Sequence, residues 1–425
     1  MKTLYLHIGQ PKTGTTALQN FLAANSAELE AQGLSFPLMP FTWRFALPER
    51  NALFLSAQKT DETGVPLDEG DRAMRRRCLD IVLSSFEKTD AVLLSDEALW
   101  RHAAKDDLAF LRALLSHAQD NAYAIKVIVW LRRPDELAMS WHSQNAKSPY
   151  PNRALPWKNW LKRFEGRLDL LTPLERVSSL VGRDNVIVRV FDERLRGKGP
   201  HAIHDEFLGC LGLVRTDAMR FPESDDNTAR LTPNFIACMD AVKRSPSFVP
   251  GRDNVFSTTA CELSAAPSDT PRMQMFSAEE ARAFVQARAD DHARIARDYL
   301  HTTGPLFDDA YPDIRKWTPG NRWLKTDALR YFCEVARRQN ALAGYDEYDE
   351  YGEYSKYDKY DGYDGYGESP AADEATRDRP SAAALRHMMY VLADEACARQ
   401  KRIDAGDSVD VLTSDDIRAR GEELL

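Results

Sequence analysis

A strand-forming segment, a glycine-containing loop and a helix-forming segment follow one another directly near the start of the chain. The apolar segment TLYLHI at residues 3–8 has the composition of a buried strand, and the loop GQPKTGTT follows it at 9–16. Between 17 and 31 the apolar residues recur at the spacing of one helix face. A loop that ends at the start of a helix presents backbone N–H groups and the positive end of the helix dipole. The order of these elements therefore predicts an anion-binding loop beside a sheet.

The loop keeps the glycine spacing of a Walker A sequence but carries its lysine at a different position. Gly9 and Gly14 fit the GxxxxG pattern, whereas Thr15 stands where the Walker lysine would follow and Lys12 lies inside the loop. Glycine at position 14 lets the backbone approach an anion closely. The sequence therefore predicts a variant phosphate-binding loop, whose binding residues would be Pro11, Lys12, Thr13, Gly14, Thr15 and Thr16.

Three more strand-forming segments alternate with helix-forming ones along the first half of the chain. They are AVLLS at 91–95, AIKVIVWL at 124–131 and NVIVRVF at 185–191. The nearly continuous apolar character of 124–131 is typical of a parallel strand that is covered on both faces. Helices are predicted near 71–87, 105–119, 135–147 and 156–181. The alternation predicts the α/β class, as a P-loop-like doubly wound parallel sheet flanked by helices, with helical additions towards the C-terminus.

The size and composition of the chain indicate one large domain followed by extensions. A chain of 425 residues of which 43% are hydrophobic can bury a large α/β core. We expect this domain to occupy residues 1–308 and to end with a long helix from Ser277 to about His301, since Ser277 and Glu280 form a capping-box pattern. Residues 309–344 are expected to form a linker or a helical extension.

A low-complexity tract follows. From Tyr345 to Tyr366 a tyrosine recurs at every third position between acidic, glycine, lysine and serine residues. Because the tract lacks aliphatic residues, it cannot form a core at either helical or strand spacing, and we interpret 345–369 as a disordered segment. Residues 370–425 are expected to form a helical or disordered tail, with a charged helix near 380–402.

Charge and cysteine content narrow the classes of function. The net charge of −9 gives no overall positive field for nucleic acid, so no nucleic-acid partner is predicted. The six cysteines occur singly, without the spacing of metal ligands. No segment has eighteen consecutive apolar residues, and a strand at 3–8 leaves no room for a signal peptide, so we expect no membrane span and a cytoplasmic protein. Nothing in the sequence indicates the oligomeric state.

A second candidate for phosphate binding lies in the segment VIVWLRRPDELAMS. Arg132 ends the predicted strand, Pro134 follows two residues later, and Ser140 stands eight residues after the arginine. A guanidinium binds two phosphate oxygens at once, and a hydroxyl from the next helix adds one donor. The segment predicts a second phosphate site formed by Arg132 and Ser140.

Together the two segments resemble the PAPS-dependent sulfotransferases, which use 3′-phosphoadenosine 5′-phosphosulfate (PAPS). PKTGTT is similar to the usual PK(S/T)GTT loop, and the Arg132–Ser140 segment is similar to RNPRDxxxS, although Arg133 and Asp135 replace the asparagine and the second arginine. The resemblance covers about residues 1–305. The C-terminal RKGxxG segment of the hormone and phenol sulfotransferases has no clear counterpart, since RKWTPG at 315–320 is only weakly similar to it. Its absence favours the bacterial and carbohydrate branch of the family.

This resemblance implies a reaction and its participants. PAPS would be the co-substrate, and a hydroxyl of a glycan or glycolipid would accept the sulfuryl group. Lys12 would contact the phosphosulfate and neutralise charge on the leaving phosphate, and no metal ion is expected. The acceptor pocket is expected in variable loops at 33–70 and 220–275.

The acceptor hydroxyl must lose a proton, which requires a base near the loop. Glu97, in LLSDEALW after the strand at 91–95, resembles the glutamate base of the glycan sulfotransferases, with Asp96 as its closest competitor. His102 and His142 are further candidates, whereas His7 has the position of a core histidine.

Two other functions fit parts of the pattern. A P-loop nucleotide or small-molecule kinase should have lysine directly after Gly14 and an acid that holds Mg²⁺. A non-catalytic nucleotide-binding interaction protein would bind PAPS without sulfating any acceptor.

Overall fold

The computed structural model describes residues 1–43, 47–61, 65–148, 156–222, 230–249, 255–344 and 380–425. The chain forms two compact units. The first comprises residues 1–138, 161–224 and 278–312, and the second comprises 139–160, 225–277 and 313–425. The tyrosine tract at 345–366 lies outside the described residues.

The first unit is built on a sheet of five strands. In chain order they are β1 (Thr3–His7), β2 (Leu34–Ser35), β3 (Ala91–Ser95), β4 (Ala124–Arg132) and β5 (Val186–Phe191). Their spatial order is β2-β3-β1-β4-β5, and every pairing is parallel. Strand β1 therefore lies in the middle, hydrogen-bonded to β3 on one side and to β4 on the other.

Helices connect and flank these strands. The helices of the first unit are α1 (Thr15–Ala24), α2 (Ser26–Ala31), α3 (Glu69–Ser85), α4 (Ala98–Ala104), α5 (Ala109–Asp120), α8 (Leu171–Val181), α9 (Glu193–Arg196), α10 (Ala202–Cys210), α13 (Ala278–Gln286) and α14 (Ala289–Leu300). Two helices, α6 (Pro134–Lys147) and α7 (Trp157–Phe164), have residues in both units.

Both faces of the sheet are buried, which explains why its strands are apolar on both sides. Leu4 and Leu6 of β1 belong to one hydrophobic cluster. Leu93, Ile128 and Trp130 lie on the other face of the sheet, where they belong to a second cluster together with residues of α1 and α10. The predicted α/β class with a parallel sheet is confirmed.

The strands predicted at 3–8, 91–95, 124–131 and 185–191 are all present, within one residue at each end. The fifth strand, β2, was not predicted because its two residues are too few to produce a period. The single helix predicted from Ser277 to His301 is wrong, since it is divided into α13 and α14. The backbone leaves helical geometry at Arg288, where φ is −124°, and the Arg288 side chain donates to the Phe284 carbonyl instead.

The second unit is mainly helical. Its own helices are α11 (Pro233–Arg244), α12 (Val255–Ala265), α15 (Leu324–Leu342), α16 (Ala382–Asp404) and α17 (Ser414–Glu423), and a short parallel pair joins β6 (Met273–Gln274) to β7 (Arg315–Lys316). The helix expected near 380–402 is therefore present as α16, which is capped by the Ser381 side chain. The core of this unit surrounds the fully buried Tyr331. No helix among the described residues is long and apolar enough to cross a membrane.

Candidate anion-binding site

The carboxyl ends of three neighbouring strands place the predicted site residues at one edge of the sheet. His7, the last residue of β1, lies opposite Ser95 of β3 and Ile128 of β4. The loop that follows β1, the acidic pair after β3 and Arg132 at the end of β4 therefore start from the same edge. Because ligands bind beyond the carboxyl ends of strands in open α/β sheets, this edge is the candidate site.

Three residues of the loop, Gly9, Lys12 and Gly14, have a positive φ. Lys12 has φ of +73° and Gly14 has φ of +82°. Gly14 is the N-cap of α1, and its carbonyl accepts the first helical bond from the Leu18 amide. The preceding amides at the start of α1 have no acceptor within the helix, so they are available to an anion. A non-glycine residue at positive φ is strained, and such strain is concentrated at binding and catalytic sites.

The loop is held in this shape by its own bonds and by β4. The Thr13 hydroxyl donates to the Gln10 carbonyl at 2.7 Å. The Gln10 amide donates to the Trp130 carbonyl at 3.2 Å, and the Gln10 side-chain oxygen accepts from the Arg132 amide at 2.8 Å. Thr13 and Pro11 are buried while Thr16 is exposed. Thr13 and Pro11 thus shape the loop, and Thr16 presents its side chain to solvent.

Arg132 contacts the loop directly. Its guanidinium donates to the Lys12 carbonyl at 2.8 Å and to the Glu136 carboxylate at 3.2 Å. The same carboxylate accepts two bonds from Arg196, at 3.0 and 3.2 Å. Both guanidiniums also lie over the Phe191 ring, each 5.3 Å from its centroid. These arginines lower the pKa of Glu136 below its ordinary value in spite of its burial, so the carboxylate stays ionised and orients both guanidiniums.

Arg133, which replaces the asparagine of the RNPRDxxxS pattern, is buried and binds acidic residues. Only 4% of its side chain is exposed, and it donates to Asp135 at 2.8 Å and to Asp308 at 2.7 Å. Its guanidinium also lies 4.3 Å from the centre of the Tyr311 ring. The two departures from the RNPRD pattern, at positions 133 and 135, therefore form one buried ion pair.

Of the two acids after β3, Asp96 is committed to structure. Its side chain is fully buried, accepts from the Ala98 amide at 2.7 Å and forms an ion pair with Arg50 at 3.0 Å. Its backbone amide donates to the His7 carbonyl at 3.1 Å, which ties it to β1. Asp96 thus accepts a hydrogen bond from the first amide of α4.

Glu97 occupies the N-cap position of α4, but its side chain makes no capping bond. Burial and the neighbouring charge of Asp96 raise its pKa above the ordinary value, while Lys12, Arg50 and Arg101 act in the opposite direction. The positive charge of Lys12 is therefore near enough to the Glu97 carboxyl group to stabilise its ionised form. A partly buried carboxylate with a raised pKa, close to a lysine of the loop, has the properties of a general base.

The remaining predicted residues lie in other surroundings. Ser140 is buried on α6 within the second unit, so its role in phosphate binding stays a prediction. His142 packs against both Trp157 and Trp160, with ring centroids 5.1 and 5.0 Å away. His102 pairs with Asp107 at 2.7 Å and lines a cavity of about 660 Å³ between the chain around Lys59 and the start of α5. Of the site residues predicted individually from the sequence, His102 alone is among the described residues that line this cavity, which is also lined by residues of the segment 33–70 where the acceptor pocket is expected.

Sequence reasoning missed four residues that shape the site. Glu136 follows Arg132 by four residues on a predicted helix start, so their spacing could have indicated the pair. Gln10, Phe191 and Arg196 gave no comparable signal, because each reaches the loop or Arg132 only through the tertiary fold.

Comparison with protein-family models and with curated proteins gives no match for this chain. Function is therefore inferred from the geometry and the chemistry of this site.

Proposed function

We propose that this protein transfers a sulfuryl group from PAPS to an acceptor hydroxyl, with a carbohydrate as the acceptor class. The observation that carries the proposal is the hydrogen bond from Arg132 to the Lys12 carbonyl, since it joins the two segments that resemble the donor-binding motifs of sulfotransferases. A donor with phosphate groups at both ends needs two such anion sites side by side. The proposal includes phosphate binding by the loop at 9–16 in the manner of a P-loop.

The loop has the chemistry that the 5′-phosphosulfate requires. Its first-turn amides, the Lys12 ammonium and the Thr16 hydroxyl are donors or positive charges near the start of α1. Two buried polar atoms below it, His7 Nε2 and Thr15 Oγ1, have no hydrogen-bond partner among the described residues. Buried donors without partners are costly, and a bound oxyanion would supply acceptors.

Arg132 would hold the 3′-phosphate. The guanidinium is already oriented by Glu136 and by the Phe191 ring. An oriented guanidinium loses little entropy on binding, and its fork matches two phosphate oxygens.

In the transfer step the acceptor oxygen attacks the sulfur, and a new O–S bond forms as the bond from sulfur to the phosphate oxygen breaks. The electron pair of the broken bond remains on the phosphate of adenosine 3′,5′-bisphosphate, where Lys12 stabilises the charge. Glu97 takes the proton of the acceptor hydroxyl. The arrangement needs only positioning, one base and one cation.

The test is an assay of the full chain with labelled PAPS against a panel of glycan and phenolic acceptors. We expect transfer to a glycan, with Lys12→Ala lowering kcat by roughly 100-fold or more, as for the loss of one preorganised donor. Lys105→Ala is the matched control, since Lys105 is exposed at the end of α4. Magnesium-dependent phosphoryl transfer from ATP would decide for a kinase, and binding of PAPS without transfer to any acceptor would decide for a binding protein.

A further inference from the structure

A buried polar network lies directly beneath the loop. His7 is fully buried, and its Nδ1 lies 2.9 Å from the Ser95 hydroxyl. The Gln19 side-chain amide donates to the Ser95 hydroxyl at 3.1 Å and to the Ser95 carbonyl at 3.2 Å. The edge of the His7 ring faces Phe207, with 5.0 Å between the ring centroids.

These contacts determine which nitrogen of His7 carries the proton. The Ser95 carbonyl can only accept, so Gln19 must present its NH₂ group to Ser95. The Ser95 hydroxyl then accepts from Gln19 and has one proton to donate. Among the described residues His7 Nδ1 is its other hydrogen-bond partner, so a proton on Nδ1 would leave the hydroxyl proton without an acceptor. Nδ1 is therefore unprotonated and Nε2 carries the hydrogen. Burial also lowers the pKa of His7 to about 3, so the ring is neutral.

The protonated nitrogen is directed towards the base of the loop. A β-carbon added at Gly9 would lie 3.0 Å from His7 Nε2 and 3.3 Å from Thr15 Oγ1, so both atoms are on the same side of Gly9. Thr15 is 3% exposed, and neither atom has a hydrogen-bond partner among the described residues. Two buried polar atoms thus lie within 3.3 Å of one point beside Gly9, in a loop whose amides at the start of α1 are also donors.

We propose that His7 Nε2–H and the Thr15 hydroxyl together bind one oxygen of the oxyanion that the loop holds. The proposal rests on the proposed function to the extent that the natural oxyanion is the phosphosulfate of PAPS. An oxyanion oxygen only accepts, which matches two converging donors. His7 would therefore be a neutral donor that touches the co-substrate, and it would take no proton during the reaction.

The direct test is nuclear magnetic resonance of the full chain labelled with ¹⁵N-histidine, in which His7→Gln assigns the His7 signals among the nine histidines. We expect a protonated Nε2 and an unprotonated Nδ1. Addition of adenosine 3′,5′-bisphosphate or of inorganic sulfate should move the Nε2 proton downfield and slow its exchange with water. A protonated Nδ1, or an Nε2 proton that neither ligand moves, would overturn the proposal. A response to sulfate alone would support the oxyanion site and count against PAPS as the donor.

Variants test the same contact by affinity. His7→Phe keeps a buried ring but removes the donor, and we expect roughly 10- to 100-fold weaker binding of the bisphosphate, as for one hydrogen bond to a charged group. His7→Gln retains an N–H group at a similar reach and should bind within a few-fold of the unchanged protein. His292→Phe is the matched control, because His292 is also buried with an unpartnered Nε2 and packs against Phe307 rather than the loop. Equal affinity of His7→Phe and the unchanged protein would contradict the contact.

Discussion

The guanidinium of Arg132 donates a 2.8 Å hydrogen bond to the backbone carbonyl of Lys12, 120 residues earlier in the chain. Lys12 has a left-handed backbone, and its carbonyl accepts from this side chain at the end of β4. A side chain that would bind one phosphate thus also supports the loop that would bind the other. The two phosphate-binding segments are therefore coupled, and a substitution at Arg132 should affect the loop as well as the phosphate that Arg132 would bind.

Arg132→Ala should weaken binding of adenosine 3′,5′-bisphosphate roughly 10- to 100-fold, because a charge-assisted hydrogen-bonding group is lost. The affinity for adenosine 5′-phosphate, which lacks the 3′-phosphate, should fall much less. Calorimetric titration of both nucleotides measures the difference. Arg194→Ala is the matched control, since Arg194 is half exposed and pairs with Asp192. An equal loss for both nucleotides would mean that Arg132 acts only by supporting the loop.

Glu97→Gln should lower kcat by roughly 100- to 10,000-fold, the usual contribution of a general base. In the unchanged protein kcat should fall as the pH drops through the pKa of Glu97, which burial places above its ordinary value of 4.5. The glutamine variant should lack this acidic limb. A pH profile of kcat for both proteins makes the comparison, and a limb that survives in the variant would assign the base to another group.

The same substitution should increase stability at neutral pH. The pKa of Glu97 is raised in the folded state, so its contribution to stability is complete below the unfolded pKa and is lost as the pH rises through the folded pKa. At neutral pH the unchanged protein therefore bears a buried charge that Glu97→Gln removes. Thermal unfolding at several pH values should give a higher Tm for the variant at pH 7 and equal values in acid. A lower Tm at pH 7 would show that Lys12 stabilises the carboxylate more than burial opposes it.

Gly14→Ala should destabilise the protein by at least about 2 kcal/mol, because a left-handed backbone disfavours any side chain. The new methyl group would also meet Ile203 Cδ1 at 2.6 Å. Adding Ile203→Ala should restore the unfolding free energy that is lost through this collision. The loss that comes from the left-handed backbone should remain. Gly209→Ala, at an exposed helical site on α10 with no atoms near the new methyl group, is the control and should be neutral or stabilising by up to about 1 kcal/mol. Urea unfolding measures all four proteins.

Arg133→Met should cost about 3 to 5 kcal/mol of unfolding free energy, since Asp135 would remain as a buried charge without its main partner. The double variant Arg133→Met with Asp135→Leu should recover most of the loss. Arg215→Met breaks an exposed ion pair with Asp205 and should leave the unfolding free energy nearly unchanged. Lost nucleotide binding with unchanged stability in Arg133→Met would instead make Arg133 a ligand.

The sequence predicted the parts of the fold and site that depend on local pattern. Apolar runs predicted β1, β3, β4 and β5, and the glycine spacing predicted the loop. The sequence also showed that positions 133 and 135 depart from the family pattern, but only the fold shows that they pair with each other.

Contacts between distant segments could not be predicted in this way. Arg196 reaches Glu136 because α9 follows β5, and the proton on His7 depends on Ser95 and Gln19. Such contacts follow from the order of strands in the sheet, which no local period encodes. The same limit explains why Glu97 and Asp96, adjacent in the sequence, could not be separated into a candidate base and a structural acid.

The central place of β1 in the sheet also bears on how the protein acquires its structure. Residues Thr3–His7 pair with Ala91–Ser95 on one side and with Ala124–Ile128 on the other. During synthesis this strand has no neighbour until Ala91–Ser95 has emerged and lacks its second neighbour until Ala124–Ile128 follows, and pairing across such long separations is slow. Its apolar side chains are exposed throughout that interval, when association with other chains competes with folding. We expect recovery of the folded protein to depend on chaperones and on temperature during expression.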